Sequence, residues 1–345
     1  MSFSKLLIEW YLQNSRDLPW RKTIHPYPVW LSEIMLQQTR VAQGLPYFLK
    51  FIDAFPTVFD LANAPEEQVL KLWQGLGYYS RARNLHATAK YIAYELHGHF
   101  PPDYSGLLKL QGVGDYTAAA IASIAYGEPV PVVDGNVYRV LARVYGIDTD
   151  ITSSGAKKQF TELAASLLPK GEASAFNQAM MEFGALQCVP KNPDCAVCVF
   201  NTRCVAFQTG RVNELPVKLK KAKVTNRYFN YLVVQDRQGN SIIQKRIAKG
   251  IWHNLYEFPL IETEGDTSYK EVWDLIYSRG FSFEVKDLRL LTPEIIIHKL
   301  SHQHLHIRFW EVTTDAVLSE AIAPNVLKTY PFPIVIYNFI ENHWQ

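Results

Sequence analysis

The stretch from Leu107 to Arg139, LLKLQGVGDYTAAAIASIAYGEPVPVVDGNVYR, constrains the chain more than any other. Gly112-Val113-Gly114 is a Gly-x-Gly turn opening an Ala-rich run, so backbone N–H groups at a helix start can face an anion. A bare Gly-x-Gly turn is common, and the sequel is what adds weight. An apolar helix is expected from Thr117 to Tyr126, followed by Gly127-Glu128-Pro129-Val130-Pro131. Val132-Val133-Asp134-Gly135-Asn136 then leads into another helical pattern. One supersecondary unit therefore combines a phosphate-facing turn with a carboxylate.

A length of 345 residues exceeds what one core usually organises and predicts two domains. Net charge is only +2, with 18 basic and 18 acidic residues through position 210 and 17 and 15 beyond it. Bulk charge thus gives no nucleic-acid signal, and contacts with DNA must rest on local groups. Candidates are Arg81 with Arg83, Arg139 with Arg143, and the run Lys218, Lys220, Lys221 and Lys223, although most such groups are ordinary solvated charge. The N-terminus carries Glu9, Gln13 and Asp17 in an amphipathic pattern unlike a signal peptide, and no run approaches transmembrane length. These features predict a protein of the cytoplasm with no membrane partner.

Apolar residues from Phe3 to Gln13 fit one helix face, which Leu18-Pro19-Trp20 ends. Pro26-Tyr27-Pro28 reads as an extended approach to a helix over Val29 to Thr39. Within it Glu33 falls among Trp30, Ile34 and Leu36, which would partly desolvate it. Burial disfavours the charged form, so such a carboxyl can stay protonated and act as a general acid. On local sequence alone, a surface glutamate beside aromatic neighbours is the commoner outcome. Further on, Gly75 and Gly77 make a turn beside Tyr78, Tyr79, Arg81 and Arg83. That interleaving suits base stacking and phosphate contact, and equally suits core tyrosines beside a salt-bridged turn. Helices are expected again over Leu85 to Leu96, Ala156 to Leu168 and Ala175 to Leu186.

All four cysteines of the chain, Cys188, Cys195, Cys198 and Cys204, lie in one short segment with spacing C-x6-C-x2-C-x5-C. Clustered thiols in an intracellular protein point to a metal, either zinc or an iron–sulfur cluster. Zinc ribbons usually show two C-x2-C knuckles where this site has one, which favours iron–sulfur without excluding zinc.

After Gln208 the composition changes, and 211–226 reads as a linker between a helical domain over 1–210 and a second domain over 227–345. Tyr228 to Gln235 alternates like a strand, Asp236 to Asn240 like a hairpin turn, and Ser241 to Lys245 like the returning strand. A helix near Tyr269 to Arg279 and strands near Ile295 to Ile297 and His304 to Trp310 make this domain α+β. Gly250-Ile251-Trp252 with Glu257-Phe258-Pro259 resembles the Nudix-like fold. The glutamate-rich magnesium-binding helix of the Nudix hydrolases is missing, since the corresponding region from Thr267 reads TSYKEVW. A recognition domain is therefore expected rather than a pyrophosphohydrolase. His298, His302, His304 and His306 invite a metal hypothesis, the last three sharing one strand face, but exposed or base-contacting histidines are the better reading.

Taken together, WLSEIMLQQTR from Trp30, GLGYYSRARNLH from Gly75, VDGNVYRVLAR from Val133, FNQAMMEFGALQC from Phe176 and the cysteine spacing resemble the adenine DNA glycosylases of the MutY family over nearly the whole chain. The resemblance implies an all-helical domain of the helix-hairpin-helix/Gly-Pro-Asp superfamily with a [4Fe–4S] cluster on the four cysteines, then a Nudix-like domain. The implied reaction is hydrolysis of the N-glycosidic bond of adenine mispaired with 8-oxoguanine or guanine in duplex DNA, by a monomer. Glu33 matches the acid that protonates N7 of adenine, and Asp134 the carboxylate facing the sugar. The two need opposite protonation, so Glu33 is expected with a raised pKa and Asp134 ionised. Asn136 matches a residue supporting that site.

Tyr116 stands where the related endonuclease III branch has a Schiff-base lysine, which implies a monofunctional enzyme. An oxidised-pyrimidine glycosylase/lyase of the endonuclease III type is the nearest rival. Gln38 and Tyr78 match residues that wedge into the duplex, Gly112 and Gly114 the phosphate-binding amides, and Ser301 with His302 the loop that reads 8-oxoguanine. Leu300 departs from the family's Phe-Ser-His at that loop.

Overall fold

The apolar periodicities of the N-terminal part become helices in the computed structural model, which describes residues 1–219, 224–281 and 283–344. They are α1 (Phe3–Asn14), α2 (Pro26–Leu36), α3 (Val41–Ala54), α4 (Val58–Asn63), α5 (Glu66–Trp73), α6 (Ser80–Lys90), α7 (Tyr104–Leu107), α8 (Asp115–Tyr126), α9 (Gly135–Tyr145), α10 (Ala156–Leu167), α11 (Ala173–Leu186) and α12 (Val205–Gln208). By its internal contacts the chain divides into two compact units, Met1–Asn63 with Asn84–Lys221, and Ala64–Arg83 with Ala222–Gln345. Lys220, Lys221 and Lys223 of the basic run lie outside the described residues.

In the first unit α1, α9, α10 and α11 pack around Leu7, Trp10, Leu141, Phe160, Met180 and Phe183, all buried. Helix α2 begins at Pro26 and takes in Pro26 to Pro28, expected as an extended approach, because the first turn of a helix has no use for those missing N–H groups. His25 caps it, its ring accepting from the Tyr27 N–H at 3.3 Å. Helix α8 ends at Gly127, whose φ of 70° lets its N–H reach the Ser123 carbonyl while the Glu128 N–H reaches that of Ala122.

The second unit is built on β1 (Thr225–Gln235), β2 (Gln244–Lys245), β3 (Tyr256–Glu257), β4 (Leu260–Thr263), β5 (Asp287–Leu290), β6 (Ile296–Lys299) and β7 (Gln303–Thr313), with α13 (Tyr269–Ser278), α14 (Pro324–Leu327) and α15 (Ile334–His343). β1 and β7 run parallel in full register from Thr225↔Gln303 to Gln235↔Thr313. β4 flanks β1, while β5 and β6 both pair antiparallel with β7. The expected hairpin return over Ser241 to Lys245 forms differently. One bridge joins Gln235 to Ser241, and the chain then leaves the sheet so that β2 pairs with β3. The second unit's core gathers Leu232, Val234, Val272, Ile276, Trp310 and Val312 beneath α13, which opens with a Ser268/Glu271 capping box.

Candidate active site

A cleft of about 1310 Å³ opens in the first unit, walled by α2, the start of α8, the segment from Val130 to Asn136, and α11. Residues 27 to 35 of α2 are nearly all buried, and Glu33 among them is 6% exposed while still lining the cleft. The Tyr116 hydroxyl, from the first turn of α8, donates to Glu33 Oε2 at 2.5 Å. Burial pushes the Glu33 carboxyl up to about 7, helped by the charge of Asp134 and opposed by the Tyr116 hydrogen bond and by Arg21. The raised pKa expected at Glu33 thus has a physical cause.

Asp134 enters the same cleft as the N-cap of α9. Its Oδ1 accepts from the Val137 N–H at 2.8 Å and its Oδ2 from the Asn136 amide at 2.8 Å. Burial raises this carboxyl above the usual aspartate range, while the bonds from Val137 and Asn136 pull it down. Two carboxyls with different surroundings, one tied to a phenol and one to N–H donors, can hold opposite protonation states.

The glycine turn leads directly into α8, whose first residues line the cleft. Gly112 has φ 79°, and a Cβ there would meet Asn84 Cβ at 2.8 Å, so only glycine fits. Asn84 accepts from the Gln111 side chain at 3.0 Å, and Thr88 donates to the Gln111 carbonyl at 2.7 Å, fixing the turn from α6. Gly114 is the N-cap of α8 with no side-chain cap, and a Cβ there would meet open space.

Residues 31–166 match the HhH-GPD superfamily of base excision DNA repair proteins, and residues 230–342 match the NUDIX domain. Adenine DNA glycosylase of Buchnera aphidicola subsp. Schizaphis graminum is 38% identical over 88% of this chain and 86% of its own length. The Homo sapiens adenine DNA glycosylase is 45% identical over 60% of this chain and 40% of its own length. This chain belongs to the adenine DNA glycosylases.

A thermostable thymine-DNA glycosylase structure shares the helical fold, with TM-score 0.56 and 29% identity over 60% of this chain and 95% of that one. An endonuclease III–DNA covalent intermediate superimposes with TM-score 0.53 at 22% identity, over 60% of this chain and 94% of that one, a likeness of fold. In this glycosylase, residues beyond the candidate pair fix the surroundings of Asp134. Asn177, fully buried on α11, accepts from the Val132 N–H at 3.0 Å and donates to the Val130 carbonyl at 2.8 Å, pinning the approach to Asp134. Arg139 donates to the Asn136 side chain at 2.9 Å and to the carbonyls of Gly184 and Cys188 at 2.7 Å each. At Gly184 a Cβ would lie 2.5 Å from Asn136 Cβ, so this glycine lets α11 come close to the start of α9. Only membership of the FNQAMMEFGALQC motif marks these α11 residues in the sequence.

The four cysteines line one small chamber together with Arg143, Phe183 and Phe200. Burial, then the charge of the neighbouring thiols, raises Cys195 and Cys204, and burial pushes Cys198 up to about 11. The Arg143 guanidinium approaches Cys188 Sγ at 3.5 Å and binds the carbonyls of Val189 and Pro190 at 2.8 and 3.0 Å. Four converging thiols beside a cation suit an electron-poor group that carries several thiolates. Among the described residues no group of three His, Cys, Asp or Glu side chains is placed to hold a single metal ion, the histidines of β7 included.

Gln38, at the cleft edge, and Tyr78, 45% exposed in the second unit, have φ of 54° and 49°, a backbone region that residues other than glycine rarely adopt. Both are among the residues that the family resemblance sets against the duplex. Arg81 turns inward: it is buried, its guanidinium lies 5.3 Å from the Trp73 and Tyr78 ring centroids, it donates to the Gly77 carbonyl at 3.1 Å, and burial lowers it to about 10. Arg83 likewise donates to the His253 carbonyl at 2.8 Å. Ser301 and His302 are exposed in the turn between β6 and β7, their side chains 3.2 Å apart. His302 therefore lies just outside the strand, while His306 stacks on Tyr228 with centroids 4.6 Å apart.

Proposed function

We propose that this enzyme hydrolyses the N-glycosidic bond of adenine mispaired with 8-oxoguanine or guanine in duplex DNA, leaving an abasic site without cutting the strand. The observation that carries the reading is the pair Glu33 and Asp134 in one cleft, the first pushed up to about 7 beneath the Tyr116 hydroxyl. Adenine must leave the stack to reach them, at a cost of a few kcal/mol that is least at a mispair. Glu33 then protonates N7 of the leaving base, and Asp134, held by Val137 and Asn136, faces the oxocarbenium-like sugar until water attacks. Tyr116 offers no amine for a Schiff base, and Lys157 at the rim is paired with Asp115 at 2.7 Å.

The amides behind Gly112 and Gly114 take a backbone phosphate, Gln38 and Tyr78 enter the duplex, and Ser301 with His302 read the oxidised guanine. Cys188, Cys195, Cys198 and Cys204 would hold a [4Fe–4S] cluster, which supplies a charged structural centre for the loop and no bond chemistry. Apart from Ala64–Arg83, which cluster with the second unit, residues 1–210 are assigned to the glycosylase domain and 227–345 to the recognition domain of a monomer working inside the cell on chromosomal DNA, with 211–226 read as the linker.

The test is incubation with duplexes carrying adenine opposite 8-oxoguanine, guanine, cytosine or thymine. Free adenine is expected from the first two only, with a rate that falls as pH rises through about 7, where Glu33 loses its proton. Glu33→Gln is expected to bind DNA and release no adenine. Strand cleavage without added base would contradict the Tyr116 assignment.

A further inference from the structure

Glu182 of α11 touches none of the reacting groups, yet its side chain is 1% exposed and lines the catalytic cleft. It accepts from the Arg16 backbone at 3.0 Å, from Arg16 Nε at 2.8 Å and Nη2 at 2.5 Å, and from Arg21 Nη1 at 2.9 Å and Nη2 at 2.7 Å. Arg21 is held on its other side by the Tyr11 ring, 5.6 Å from centroid to guanidinium. Two guanidiniums against one carboxylate leave one net positive charge at a cleft wall that Glu33 also lines.

The groups acting on Glu33 are the Tyr116 phenol from α8, the Asp134 carboxylate ahead of α9, and Arg21 from the turn after α1. Arg21 in turn donates to the Arg16 carbonyl at 3.2 Å and to the Glu182 carboxylate. A nearby positive charge favours ionised carboxylate, and an acid catalyst needs the opposite. We infer that Glu182 is a positioning residue for the general acid: it fixes Arg21 at the cleft wall and cancels enough guanidinium charge for Glu33 to keep its proton at neutral pH. This rests on the reading of Glu33 as the acid. Burial alone would push the Glu182 carboxyl up, and the bonds from Arg16 and Arg21 instead hold it at about 2, so its charge is present throughout the working range.

The experiment is the pH dependence of single-turnover adenine excision by the full chain and three variants. In Glu182→Gln the guanidiniums keep both charges, and the alkaline limb is expected to move down by about one pH unit. Glu182→Asp, which retains the charge, should restore it towards its original place. Arg16→Met removes a positive charge and should move the limb upward, so the idea is still tested if Glu182→Gln fails to fold. A limb unmoved in the folded variants, or displaced in the opposite sense, overturns the inference even if overall rates drop. Glu33→Gln separates the two readings: excision surviving in that variant removes the acid itself, whereas its loss with coincident limbs removes only the role of Glu182.

Discussion

Glu33 links folding and the proposed chemistry in one side chain. Folded, it keeps its proton up to about 7, whereas its ordinary value is 4.5. A raised acid binds its proton more tightly in the native state, so its contribution is fully favourable below about 4.5 and declines as pH rises towards about 7. The span corresponds to about 3 kcal/mol at most. Glutamine has no charge to bury and can still accept the Tyr116 hydroxyl. Glu33→Gln should therefore match the parent near pH 4.5 and exceed it in stability at pH 8, by up to about 3 kcal/mol in chemical denaturation. Equal stability at both pH values would mean that the carboxyl is not desolvated as the geometry indicates.

Helix α9 shows how an element can carry a proposed catalytic group as part of its own construction. Asp134 is both the carboxyl in the cleft and the cap whose Oδ1 takes the Val137 N–H. An asparagine in its place would keep that acceptor and an alanine would not, so Asp134→Asn should be more stable than Asp134→Ala by about 1 kcal/mol, with excision lost in both. Indistinguishable melting temperatures would show that the cap contributes nothing. This double use is why so much of the site is legible in the sequence: the Gly-x-Gly turn, the helix after it and the Asp-Gly-Asn start of α9 are local signals within one unit. Glu33 is legible only through the WLSEIMLQQTR motif, since its local sequence favours a surface glutamate and the folded chain buries it instead. Asn177, Gly184 and the Glu182 cluster are not, because their roles depend on partners such as Val132, Asn136 and Arg21 that only folding brings near. For the same reason, nothing local shows that Ala64–Arg83 clusters with the second unit, or that Arg81 turns inward.

At the scale of the molecule, the proposed chemistry and the proposed discrimination fall on different units. Every residue lining the cleft of Glu33 and Asp134 belongs to the first unit, and the proposed reading of the base opposite adenine is assigned to the second. Its exposed turn at Ser301 and His302 sits between β6 and β7, and β7 is a central strand, paired along its whole length with β1. A rigid strand that presents a polar turn is suited to reading a base, since little ordering is needed on binding. The fold asks little of these two side chains: the bond to the Thr225 N–H comes from the His302 backbone carbonyl, and alanine preserves it. The double change Ser301→Ala with His302→Ala should thus leave the melting temperature and the excision of adenine opposite guanine nearly unchanged. Excision opposite 8-oxoguanine should slow towards the guanine rate at low enzyme concentration. The measurement is the ratio of single-turnover rates on the two duplexes, expected to fall at least about tenfold if one buried polar contact to the lesion is lost. An unchanged ratio would move lesion recognition to the Gln38 and Tyr78 positions, whose left-handed backbones would then be the remaining structural sign of a site shaped to enter the duplex.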